Sequence, residues 1–130
     1  MRNIYLIIIV LFFNQVYSQE QKLYGEWLND QKDSDITSIE FKQDNTAVMF
    51  QVEKVSPTFA FTADYSKKPL WLDMIIVKDG VEAKLFGLIE FLETDKVKIE
   101  LFYGNFKDRP TSFSVIPSVK SRVYNFTLKK

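Results

Sequence analysis

From about residue 24 to residue 128 the chain alternates apolar and polar residues in short runs, and this two-residue period is what most constrains its fold. Successive side chains of a strand point to opposite faces, so each run calls for one buried face and one wet face. Thr37, Ile39 and Phe41 alternate with Ser38 and Glu40, and Val48, Phe50 and Val52 follow the turn residues Gln43-Asp44-Asn45. Phe59, Phe61, Ala63 and Tyr65 oppose Thr58, Thr62 and Asp64, while Val97, Ile99, Leu101 and Tyr103 oppose Lys98 and Glu100. A first strand near Tyr24 to Leu28 and a last one carrying Tyr124, Phe126 and Leu128 bring the total to about eight.

Two runs depart from simple alternation. Residues 70–77 are apolar on both faces except at Asp73, and Phe86 and Leu88 interrupt the polar face of the strand bearing Ala83, Leu85, Ile89 and Phe91. Such strands are covered on both sides or face a cavity. Asp79-Gly80 between them suits a tight hairpin, because both residues tolerate positive φ. Gly87 within a strand pattern marks a bend. Most connections are short, which favours pairing of sequence neighbours in an up-and-down meander, and the fold class expected is an all-β, eight-stranded antiparallel barrel. The longer links, 29–35 and 104–110, are polar and belong on the surface.

The N-terminus reads as an export leader. Met1-Arg2-Asn3 is positive, residues 4–13 form an apolar run, and Val16-Tyr17-Ser18 ends in a small residue suited to signal-peptidase cleavage. An apolar run of that length is shorter than the roughly 20 residues a membrane-spanning helix requires. The expected organisation is a cleaved signal peptide over 1–18 and one domain over 19–130, exported to the periplasm or beyond the cell, with no stable membrane insertion. Only Arg2 of the leader is charged and the whole chain is formally neutral, so no basic face attracts nucleic acid. Lys84, Lys98 and Glu100 spoil the lipid-facing band that an outer-membrane barrel needs.

The chain has neither cysteine nor histidine. Disulfides, thiolate or imidazole metal sites and Ser-His-Asp or Cys-His catalysis are therefore excluded. Glu82, Glu90 and Glu100 stand on strands at positions where charges form the solvated face. The expectation is a protein that is not an enzyme and needs no cofactor or metal.

Gly25-Glu26-Trp27 on the first strand is the G-x-W signature of lipocalins. It is joined by Asp64-Tyr65-Ser66-Lys67-Lys68-Pro69 with Leu72-Asp73, by Gly87-Leu88-Ile89-Glu90, and by Arg109-Pro110-Thr111-Ser112-Phe113. In this order and spacing the chain resembles a family of small, exported, lipocalin-like bacterial domains whose activity is largely uncharacterised. Glu93-Thr94-Asp95 stands where the family usually has a glycine near the turn. The resemblance implies a small eight-stranded barrel closed at one end by Gly25 and Trp27, with either Arg109 or Arg122 lying over the indole.

The heavy aromatic load, with 12 Phe, 6 Tyr and 2 Trp, suits a greasy interior. Phe50, Phe59, Phe61 and Met74 are the candidate walls of an apolar ligand site. Asp73 is the one carboxylate in its run; pointing inward it needs Lys68 or Arg109 as partner and could orient a ligand's polar end, and pointing outward it simply faces water. Trp71, Phe86 and Phe102 form either an exposed recognition patch or a surface covered by a loop. The leading expectation is an exported soluble protein holding a small apolar ligand in the barrel. The alternative is a protein-interaction module, an inhibitor or envelope accessory factor, with a packed interior. An eight-stranded barrel is wide enough for one small ligand or can be filled by its own side chains.

Overall fold

A computed structural model describes residues 23–103, 107–116 and 120–130. The leader expected over 1–18 and the domain start at Gln19 lie outside the described residues. The alternating runs form β1 (Gly25–Asn29), β2 (Ile36–Phe41), β3 (Thr46–Gln51), β4 (Phe59–Asp64), β5 (Leu70–Lys78), β6 (Val81–Glu93), β7 (Lys96–Phe102) and β8 (Ser121–Leu128). Each strand pairs antiparallel with the next, and β8 returns to β1, where Trp27 stands opposite Leu128. The expected all-β up-and-down barrel is the fold found, closed and eight-stranded.

Local chemistry sets its corners. Asp79 (φ 53°) and Gly80 (φ 76°) both occupy the left-handed region that a two-residue hairpin turn requires. Gly87 lies where β6 is packed tightly between its neighbours: a Cβ there would meet Leu72 Cδ2 at 3.1 Å and Leu101 Cδ2 at 3.3 Å. At the β6–β7 turn, where glycine is missing, a register shift between Phe91 and Glu93 accommodates Thr94-Asp95.

Residues in register share a face, and one face of every strand meets in a continuous core. Trp27, Ile39, Phe41, Ala47, Met49, Phe61, Leu72, Met74, Ile89, Val97, Ile99, Leu101, Tyr124 and Phe126 belong to it. Two sequence expectations are corrected here. Val48, Phe50 and Val52 were expected on the buried face of β3, but Phe41 stands opposite Ala47 and Ile39 opposite Met49, so Phe50 falls opposite Ser38 on the other face. Apolar residues at 47, 48, 49 and 50 in succession leave the period undefined, and the register with β2 decides it. On β2, a register shift between Ile36 and Ser38 buries Ile36 and leaves Thr37 exposed.

The two ends of the barrel are sealed differently. At the end carrying the β2–β3, β4–β5 and β6–β7 turns, Trp27 is fully buried, donates Nε1–H to Leu23 O at 2.8 Å and meets Phe91 edge-on. Phe61 packs edge-on against Phe41, ring centroids 5.0 Å apart, and against Tyr24. At the opposite end the Tyr103 and Tyr124 hydroxyls lie 2.8 Å apart, Tyr124 donates to Asp35 at 3.3 Å, and Arg122 pairs with Asp35 at 3.2 Å. Burial raises both phenols above the ordinary tyrosine range, Tyr124 the further, with their mutual hydrogen bond and Asp35 adding to its shift.

Candidate binding cleft and the clad outer face

The outer face of β5–β7 is where the structure gathers charged side chains into apolar surroundings. Register places Asp73, Phe86 and Phe102 in one row across it, and Trp71, Leu88 and Glu100 in the next. Leu88, Glu100 and Phe102 are buried there even though they face away from the barrel core. Their cover is the stretch 107–116 of the β7–β8 connection, which lies back across the sheet as a strap.

Two anchors hold the strap. Arg109 inserts its guanidinium between rings, 5.0 Å from the centroid of Trp71 and 4.7 Å from that of Phe86. It donates Nη1–H to Gly87 O at 3.2 Å and Nη2–H to Leu72 O at 3.0 Å, and forms an ion pair with Asp73. Burial lowers the Arg109 pKa from its ordinary value, while Asp64 opposes the shift. The second anchor is Glu100. Its Oε1 accepts from Ser114 N–H at 2.8 Å, and its Oε2 accepts from the Ser114 and Ser121 hydroxyls at 2.5 and 2.7 Å. A fully buried carboxylate is tolerable because both oxygens are hydrogen-bonded.

These contacts correct several expectations. Asp73 has Arg109 rather than Lys68 as its partner, but the pair lies outside the barrel, so it cannot orient a ligand within it. Neither arginine lies over Trp27: Arg109 is engaged by Trp71 and Phe86, and Arg122 by Asp35 at the far end. Gly25, at φ 129°, does open the first strand, with Leu128 Cδ1 only 2.9 Å from where a Cβ would stand. Glu100 was placed on a solvated face and is instead buried. Of the two expectations for Trp71, Phe86 and Phe102, the surface covered by a loop is the one found.

The residues expected to wall an apolar cavity do not face one another across a common space. Phe61 and Met74 are in the packed core, Phe59 sits at its margin, and Phe50 and Asp73 are on outer faces. Clefts of about 440, 510 and 530 Å³ are formed by described residues, and none of the three is lined by Phe50, Phe59, Phe61, Asp73 or Met74.

The cleft of about 440 Å³ has more apolar residues in its lining than either of the others. It exists because pairing of β5 with β6 ends at Leu70 opposite Ile89, while β6 runs on to Glu93. The gap so left has Leu70, Ile89 and Phe91 as its floor, the 65–69 turn as one wall and Phe113 of the strap as the other. Ser66 N–H and Oγ–H both donate to Asp64 Oδ1, shaping that turn and holding the Asp64 carboxyl below its ordinary range. Lys67 and Lys68 stand at the rim with Glu90. Lys98 lies 4.4 Å above the Phe113 ring. Sequence reading missed this cleft although it lies within the K-K-P and R-P-T-x-F segments, because its walls come from stretches more than forty residues apart.

The cleft of about 510 Å³ lies at the other end and is polar, with Asp33, Asp35, Glu100, Ser114, Ser121 and Arg122 in its lining. Among the described residues no three His, Cys, Asp or Glu side chains converge on a metal position. Compared with protein-family models, curated proteins and solved structures, the chain matches none.

Proposed function

We propose that the protein is an exported binding protein for a small, largely apolar molecule, which it holds in the cleft between the 65–69 turn and the strap rather than within the barrel. The observation that carries this reading is the cleft itself, with apolar residues from three separate segments facing a volume within the 300–1,000 Å³ typical of small-molecule sites. The rings that would have to stand apart around an interior ligand are instead in contact with one another. An environment-sensitive apolar dye should bind saturably at one site per chain. Phe113→Ser, a change in the half-buried strap, should weaken binding at least tenfold while the denaturation midpoint barely moves. Unchanged dye affinity in that variant removes the cleft as the site.

A second reading, a protein-interaction module, is favoured by the opposite end of the barrel. Val52 and Val55, Val77 and Val81, and Val115 and Ile116 are exposed aliphatic pairs on three of its four connections, and Val115 is 96% exposed. Exposed apolar groups gathered at one end are a feature of association surfaces. Retention of dye binding when Val77 and Val81 are both changed to Ser would separate this surface from the ligand cleft.

A further inference from the structure

We infer that the molecule held in the cleft is an anionic amphiphile, a single apolar chain ending in a carboxylate or phosphate head, with Lys68 as the residue that receives the head. This rests on the cleft reading and adds the ligand's charge. The charged groups around the cleft are unequally matched. Asp64 accepts two hydrogen bonds from Ser66 and feels the positive charges of Lys67 and Arg109. Glu90 stands in register with Lys98 on the neighbouring strand, where opposite charges attract across the sheet. The negative groups thus have partners or oppositely charged neighbours within the chain.

The positive groups are less fully matched. Lys67 Nζ lies 4.7 Å above the Trp71 ring and near Asp64, and Lys98 Nζ lies over Phe113. Lys68 lines the cleft, is exposed, and among the described residues is in no ion pair, hydrogen bond or ring contact. A neutral chain lying against Leu70, Ile89 and Phe91 would cover part of this ammonium and offer nothing in return, and a cationic head would repel it. An anionic head at the rim leaves the chain's apolar body on the floor and compensates the lysine, whose own stem can lie along the apolar wall.

The test uses four twelve-carbon probes below their micelle-forming concentrations: dodecanoate, monododecyl phosphate, dodecanol and dodecylamine. Isothermal titration with the purified protein should show dodecanoate, the phosphate or both binding at least tenfold more tightly than dodecanol, with the preference shrinking as salt is raised. Which of the two anions binds better identifies the head. Lys68→Gln should erase the advantage of the anions over dodecanol. Equal binding of all four probes, tighter binding of dodecylamine, or an anion preference that survives Lys68→Gln overturns the inference but leaves the cleft reading standing. Binding of none of the four overturns both.

Discussion

On β5–β7 the inner face is covered by other strands of the same barrel, whereas the outer face is covered by one irregular strap. Leu72, Ile89, Ile99 and Leu101 inside belong to one continuous cluster of buried apolar residues. Outside, Leu88 and Phe102 are as well buried, but the strap over them is held by a guanidinium between two rings and by a carboxylate with three donors. The difference follows from the partners available. A strand satisfies its backbone in the ladder and brings only side chains to the interface; a strap has no ladder, so its polar groups need side-chain and carbonyl partners on the sheet. The inner face therefore gives cohesion without direction, and the outer face gives position. It is the positioned layer that carries Phe113 to one cleft and Ser114 to another.

Trp27→Ala empties the plug of the inner core and should lower stability by about 3–5 kcal/mol in a denaturant titration. A loss below about 1 kcal/mol would mean that the indole does not close the barrel. Arg109→Ala removes the strap's first anchor, with two carbonyl acceptors and the Asp73 charge left behind, and should cost about 2–3 kcal/mol. A double-mutant cycle with Asp73→Asn should show clear coupling to Arg109 and coupling near zero to Lys68. Glu100→Gln keeps the shape but weakens the serine contacts, at a cost of about 1–2 kcal/mol. Its sharper signature is local, with faster amide exchange at Ser114 and unchanged protection at Ile99 and Leu101.

The smallest effect is expected from pH at the tyrosine end. Because burial raises Tyr103 and Tyr124, the unfolded chain releases these phenol protons first, and stability is retained below about pH 10 and lost as pH rises above it. Phenolate absorbance should show the two ionising above the ordinary tyrosine range, and Tyr103→Phe should flatten the alkaline loss.

The barrel was legible in the sequence because its determinants are local. Period-two runs, short turns and Asp79-Gly80 each act over a few residues, and they place all eight strands. The failures occur where long-range register or tertiary cover decides. Four successive apolar residues from Ala47 to Phe50 fit either face, and only the pairing with Ile39 and Phe41 turns Phe50 outward. Glu100 has the spacing of a solvated charge, and nothing in its own strand shows that Ser114 folds back over it. The apolar residues Phe86, Leu88 and Phe102 did signal a covered second face, and Asp73 with Arg109 did pair, but the side of the sheet on which they meet is a property of the closed barrel. The cleft was less legible still, since its walls meet only after β5 starts late against β6 and the strap is anchored.

The ligand is proposed to lie in the gap between the 65–69 turn and the strap, against the edge of the core at Leu70, Ile89 and Phe91, and to leave the interior around Met49 and Met74 undisturbed. Intermolecular nuclear Overhauser effects between the methylene protons of bound dodecanoate and side chains of isotopically labelled protein test this placement most directly. The expected contacts are to Leu70, Ile89, Phe91 and Phe113, with the methyl signals of Met49 and Met74 unmoved by saturation. Contacts to Met74, Phe61 and Met49, with Phe113 silent, would place the ligand inside the barrel and contradict it.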